Sequence, residues 1–88
     1  MATNKKQKMS TEEVIKLGAD TQTIVEIGYC DRKGQSSNRR IEPYEIKDGN
    51  ALYGYCLQKQ SIRRFNMQNI TYARNTDNKF TPRWDIKI

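Results

Sequence analysis

From Thr21 onward, apolar side chains recur at every second residue in short stretches, and each stretch is soon cut off by a turn. Val25, Ile27 and Tyr29 alternate with Glu26 and Gly28, a spacing that places one set of side chains on one face of a strand. Asp31-Arg32-Lys33-Gly34 reads as a turn. Ser36 to Lys47 reads as a second, longer strand, with a bulge, bend or edge at Pro43, which has no amide hydrogen to give to a ladder. Lys47-Asp48-Gly49-Asn50 contains Asp-Gly, a strong hairpin signal. Ala51 to Leu57 is a third strand, Gln58-Lys59-Gln60 a turn, Ser61 to Met67 a fourth strand and Ile70 to Arg74 a short fifth. Asn75 to Lys79 reads as a polar loop. The final stretch, Phe80 to Ile88, alternates through Trp84, Ile86 and Ile88 and is expected to add an edge strand.

Ahead of this region the pattern differs. Ser10-Thr11-Glu12-Glu13 is a capping box, in which Ser10 and Glu13 satisfy each other's backbone amides. Val14, Ile15 and Leu17 form one apolar face, and Gly18 is a natural stop. The spacing predicts a helix over residues 10–18, packed across an open end of the β structure. Residues 1–9 are polar and lysine-bearing and are expected to be a disordered basic tail. The chain has 88 residues, so residues 10–88 are expected to form one domain, with barrel strands over residues 21–88. The fold class expected is mainly β: a small five-stranded barrel of the Sm or SH3 type with a short N-terminal α-helix.

Composition limits the chemistry. There is no histidine, so the commonest general acid–base group at neutral pH is missing. The glycines are isolated, and no phosphate loop is present. Cys30 and Cys56 belong to no C-x-x-C motif and cannot by themselves supply the four N or S ligands of a structural zinc site. They read as buried thiols in a reducing compartment, with a strand-to-strand disulfide as the alternative. These absences argue against an enzyme and against any cofactor. No stretch approaches the ~20 apolar residues of a membrane helix, and the N-terminus lacks the apolar segment of a signal peptide. A cytoplasmic protein without membrane contact is the expectation.

The net charge is +6, and residues 21–88 carry twelve basic against seven acidic side chains. A folded core with that surplus attracts polyanions; the alternative is a charge that serves solubility alone. Basic clusters lie beside aromatic residues: Arg32-Lys33; Arg39-Arg40 followed by Tyr44; Arg63-Arg64 followed by Phe65. Between them lies Tyr53-Gly54-Tyr55. Arginine donates parallel hydrogen bonds to phosphate, and aromatic rings stack on bases. Neighbours in a strand face opposite ways, so one arginine of each pair is expected to be an outer charge. The other of each pair would meet on a shared concave face. Equally open from composition is that all four are surface charges.

Tyr29-Cys30-Asp31, Gly34 and Ser37-Asn38-Arg39-Arg40-Ile41-Glu42-Pro43-Tyr44 together resemble the opening of a WYL domain. Ala51-Leu52-Tyr53-Gly54-Tyr55-Cys56 resembles the strand that names that family. Ile62-Arg63-Arg64-Phe65-Asn66-Met67-Gln68-Asn69-Ile70 resembles its Arg-x-Phe-x-Leu-x-x-Ile segment. The resemblance runs from about Thr23 to Phe80. It implies an Sm-like five-stranded barrel and a ligand-sensing role of the kind found in bacterial transcription regulators and phage-defence or CRISPR-associated proteins. It also implies binding of single-stranded nucleic acid or nucleotides at Ser37, Arg39, Tyr53, Arg63 and Phe65. Two positions depart from the pattern: the naming triplet reads Leu52-Tyr53-Gly54, and Asn69 replaces a basic residue. WYL domains usually follow a helix-turn-helix. Only about 20 residues precede the first strand, so a stand-alone domain is expected.

Two functions from different classes follow. The first is a regulatory domain that binds single-stranded DNA, RNA or a nucleotide. Arg39 and Arg63 would hold phosphates, Tyr53 would orient a base and Ser37 would donate a hydrogen bond. The second is a protein-interaction module that pairs an exposed edge strand with a partner protein or with a second copy as a homo-oligomer. Hydrolysis of nucleic acid is a third and weaker reading.

Overall fold

The computed structural model describes residues 9–88; the expectation for the basic tail falls, except for Met9, outside the described residues. One helix, α1 (Thr11–Thr21), precedes five strands: β1 (Thr23–Cys30), β2 (Ser36–Lys47), β3 (Ala51–Cys56), β4 (Ser61–Asn66) and β5 (Ile70–Lys79). A single 3-10 turn, Met67–Asn69, joins the last two. The capping box forms as its residues dictate: the Glu13 amide donates to Ser10 Oγ (3.1 Å) and the Ser10 amide to Glu13 Oε1 (2.8 Å).

The helix does not stop at Gly18. It runs to Thr21 and ends at Gln22, whose left-handed backbone (φ 58°) caps it. Gly18 is there for proximity. A Cβ on it would lie 2.3 Å from Val25 Cγ2 and 3.2 Å from the Thr23 carbonyl oxygen. The missing side chain lets α1 lie directly on β1, and Ile15 enters the core with no exposed surface.

The strands form one antiparallel sheet in the order β4-β3-β2-β1-β5. Turn chemistry sets the registers. Asp31 Oδ1 accepts from the Lys33 and Gln35 amides (2.8 and 2.9 Å). Asp48 and Gly49 both have positive φ (55° and 69°), which matches the twist of the flanking strands. The ladder slips between Pro43 and Glu45, where proline supplies no donor.

Of three further expectations, the mainly β fold with one short helix is met without the closed ladder, and two require correction. First, the sheet is open: β4 and β5 are its two edges, and the ladder does not close into a barrel. It is nevertheless strongly curled. Tyr29 of β1 and Phe65 of β4 stand edge to face with centroids 5.1 Å apart, although three strand spacings of a flat sheet would separate them by ~14 Å. Second, β5 runs to Lys79 and absorbs the stretch read as a polar loop. An edge strand needs backbone pairing more than buried side chains, and Val25 pairs with Asn75 and Thr23 with Lys79. Third, Phe80 to Ile88 adds no strand; it crosses β2 and β3 as an irregular tail held mainly by side chains, with single backbone bonds from the Phe80 amide to the Gln22 carbonyl and from the Lys87 amide to the Tyr44 carbonyl.

The inner face of the curled sheet and α1 enclose the core: Ile15, Val25, Ile27, Ile41, Leu52, Cys56, Phe65 and Ile70. Both cysteines are free, Cys56 buried and Cys30 partly so.

Candidate functional site

Paired residues on neighbouring strands share a face, so the register decides which arginines face inward. Val25, Ile27 and Tyr29 face the core, and their partners are Ile41, Arg39 and Ser37. Leu52, Gly54 and Cys56 lie on the same face, opposite Phe65, Arg63 and Ser61. The sheet thus places Ser37, Arg39, Ser61, Arg63 and Phe65 on its inner face, beyond the apolar core. Arg40 and Arg64 are on the outer face, cross-strand from Glu26 and Tyr53.

Each inward arginine is braced by the serine two residues before it. Arg39 Nε donates to Ser37 Oγ (3.2 Å) and Arg63 Nε to Ser61 Oγ (3.3 Å). Arg39 Nη1 also points at Cys56 Sγ (3.9 Å). Among the described residues neither arginine forms an ion pair. Two guanidinium groups, each oriented through Nε, thus keep terminal N–H donors for an anion. Phe65 is 4% exposed, so it is part of the floor beneath the site and offers no open face for stacking. Tyr29 completes that floor; its hydroxyl accepts from the Asn66 amide (3.3 Å).

Tyr53 is elsewhere. Its partners are Glu45 on β2 and Arg64 on β4, which puts it on the outer face, away from Arg39 and Arg63. Ser61 and Tyr29 are the residues that the sequence reading left out. The signal for Ser61 was present: Ser37-x-Arg39 and Ser61-x-Arg63 repeat one Ser-x-Arg spacing, and residues two apart in a strand share a face.

The outer face carries two polar clusters of a different kind. Glu26 accepts from Tyr72 Oη (2.7 Å) and pairs with the Arg74 guanidinium, and Asn38 donates to Tyr72 Oη. The Tyr72 hydroxyl, followed by Arg74, holds the Glu26 carboxyl below its ordinary pKa, and the same carboxylate pushes the Tyr72 phenol up. In the second cluster, Glu42, only 3% exposed, receives Arg83 of the tail through both oxygens (3.1 and 3.3 Å) and the Tyr44 hydroxyl at 2.7 Å. The Arg83 guanidinium carbon sits 3.8 Å from the centroid of the Tyr55 ring. The Arg83 amide donates to Tyr44 Oη (2.9 Å) and the Lys87 amide to the Tyr44 carbonyl (2.7 Å). Burial, together with the Glu42 hydrogen bond, pushes the Tyr44 phenol up to about 12.

Among the described residues no group of three or more His, Cys, Asp or Glu side chains is placed to hold a metal ion. No helix among them is long and apolar enough to cross a membrane. A search of curated proteins returned no match to the chain. The family model of the WYL domain matches residues 12–75, a span that runs from α1 into β5 and includes both Ser-x-Arg pairs. WYL domains are generally regulatory, ligand-sensing domains. On a match that covers most of its length, this chain belongs to the WYL domain family.

Proposed function

We propose that the domain is a non-catalytic sensor that binds single-stranded nucleic acid or a nucleotide on the inner face of its curled sheet. The observation that carries this reading is the pair of Ser-x-Arg units on β2 and β4, two oriented arginines with no carboxylate partner among the described residues. Arg39 is half-buried and Arg63 exposed, so an anion would answer a partly desolvated charge at Arg39 and an open one at Arg63. β2 and β4 flank β3, and the register sets Arg63 level with Pro43, four residues along β2 from Arg39, so the two arginine backbones are offset by about 13 Å along the strands as well as ~10 Å across them. That spread suits separate phosphates of one strand laid along the face. Ser37 and Ser61 aim the guanidinium groups, and the aromatic floor of Tyr29 and Phe65 excludes water beneath them. Tyr53 takes no part in this inner site. In this reading the curled sheet is an Sm-like barrel whose last ladder is left open, and the protein works in the cytoplasm of a bacterium or a phage-infected cell as part of a regulatory or defence system.

Fluorescence anisotropy with short labelled single-stranded DNA and RNA tests the reading. Binding should weaken steeply with salt, with a slope of about −0.7 per phosphate neutralised. Arg39→Ala with Arg63→Ala should weaken it about 100-fold and flatten the slope by about two phosphates. Unchanged binding by the double variant would sink the site. Incubation of labelled RNA and DNA with divalent metal should leave both intact.

A second reading is favoured by one observation: β4 and β5 are both unpaired edges. An edge of this kind can add a strand from a partner protein or a second copy. It predicts a stable complex that does not depend on nucleic acid. A monomer at high concentration that copurifies with nothing would count against it.

A further inference from the structure

The tail solves a recognition problem that the outer face then poses a second time. Glu42 and Tyr55 are a cross-strand pair on β2 and β3. Between them they seat Arg83: the carboxylate takes the guanidinium with both oxygens, and the tyrosine ring lies beneath it. Past the slip at Pro43, the next outward pair is Glu45 and Tyr53, again a glutamate opposite a tyrosine. Arg64 flanks Tyr53 on its β4 side, but its guanidinium donates to Asn66 Oδ1 (3.0 Å) and does not line the space beside Glu45. Among the described residues Glu45 forms neither an ion pair nor a side-chain hydrogen bond.

The space beside this second pair is a groove of about 450 Å³, lined by Tyr44, Glu45, Tyr53, Ile62, Trp84, Asp85 and Lys87. Trp84 forms one wall. It is 51% exposed, held edge to face against Tyr44 at 5.4 Å, and so presents an open ring. Ile62 is 43% exposed. Two carboxylates, Glu45 and Asp85, stand at the groove against one cation, Lys87, which makes no ion pair among the described residues. Trp84 and Asp85 lie beyond the part of the chain that matches the family model.

The geometry points to the Glu45–Tyr53–Trp84 groove as a receptor for an arginine side chain carried by a segment of a partner protein. The guanidinium takes the position relative to Glu45 and Tyr53 that Arg83 takes relative to Glu42 and Tyr55. Its flat faces stack on Tyr53 and Trp84, its N–H groups meet the Glu45 and Asp85 carboxylates, and its aliphatic stem lies along Ile62. This site is on the opposite face from Arg39 and Arg63, so the domain can hold an anion on one side and a basic protein segment on the other.

Trp84 is the only tryptophan in the chain, so its fluorescence reads the groove directly. The full-length protein is titrated with three peptides, acetyl-Gly-Arg-Gly-amide and its lysine and citrulline counterparts. A saturable change with the arginine peptide is expected, at least about fivefold weaker with the other two. Glu45→Gln should weaken the arginine response about fivefold and leave the far-ultraviolet circular dichroism unchanged. Tyr53→Phe, which keeps the ring, should retain it. Arg63→Ala should not change it.

An equal response to the citrulline peptide would overturn the proposal, since charge would then be irrelevant. So would a stronger response of Trp84 to short single-stranded DNA, which would give the groove to nucleic acid. Sedimentation that shows self-association abolished by Glu45→Gln would give it instead to a second copy of this chain. The anisotropy experiment on Arg39 and Arg63 stands or falls separately.

Discussion

Arg83 and the pair Arg39 and Arg63 are the same side chain in opposite circumstances. On the outer face, Arg83 meets a carboxylate that is almost fully buried, and it bonds both oxygens while lying on a tyrosine ring. On the inner face, Arg39 and Arg63 meet only serine hydroxyls and a thiol. An arginine whose charge is answered within the chain serves to hold the chain together. One whose orientation is fixed and whose charge is unanswered is set up for something outside it. Lack of an ion pair alone does not distinguish the inner arginines, since Arg40 and Arg64 on the outer face also have none among the described residues; what sets Arg39 and Arg63 apart is the shared inner face and the serine that orients each.

The largest effect should come from the answered arginine's partner. Glu42→Ala leaves Arg83 and the Tyr44 hydroxyl without their acceptor and frees the tail. It should cost about 3 kcal/mol in urea unfolding. Arg39→Ala and Arg63→Ala should each stay within about 0.5 kcal/mol of the parent. If the inner arginines proved as costly as Glu42, the distinction between the two faces would collapse.

A smaller change would convert one circumstance into the other. Ser61→Asp gives Arg63 a carboxylate two residues away on the same face. Oligonucleotide affinity should fall about tenfold, with little change in melting temperature. Affinity that survived this substitution would show that Arg63 is not a phosphate ligand.

The two clusters of the outer face should also separate by pH. Tyr44 is raised to about 12 in the folded chain, against ~10 for an unperturbed phenol. Its contribution is whole below the unfolded value and is lost as pH rises from about 10 to about 12. Alkaline unfolding midpoints should therefore drop over that interval, and Tyr44→Phe should remove that part of the drop. Smallest of all is the Glu26 cluster. The folded carboxyl is held low, so its contribution is present above the ordinary carboxylate pKa and disappears as pH falls through the depressed value. Glu26→Gln should lower the neutral plateau slightly and flatten the acid limb by the same amount, so that the variant and the parent converge at low pH.

Period-two alternation was the most legible part of this protein. It sorted Arg39 from Arg40 and Arg63 from Arg64 onto opposite faces, because a strand leaves a side chain no choice of direction. The same rule, applied strictly, separates Tyr53 from Arg39 and Arg63. The resemblance to family positions grouped these residues without regard to face. Where alternation misled was the tail: Trp84, Ile86 and Ile88 have strand spacing, yet Arg83 and Trp84 bind side chains on β2 and β3, and those anchors outweigh any ladder. β5 was cut short for the converse reason. Asn75 to Lys79 lacks apolar residues, but its pairing with β1 asks only for backbone, and Thr76 Oγ1 adds a bond to the Ile24 carbonyl (2.7 Å). The open ladder between β4 and β5 had no local signal, since closure depends on how far the whole sheet curls.

The strand order bears on how the chain reaches this structure. β1 through β4 form a meander in which each new strand zips onto the one before it by a short turn. β1, the first strand made, then lies second from an edge and keeps one side bare until β5 arrives to cover it. Val25 must wait for Asn75, so the last ladder closes across most of the chain and draws its ends together late. That closure collects its entropy cost before any of its contacts form. Folding should therefore be governed by the final strand, and truncations that remove β5 should trap a meander with an exposed seam on the strand that was synthesised first.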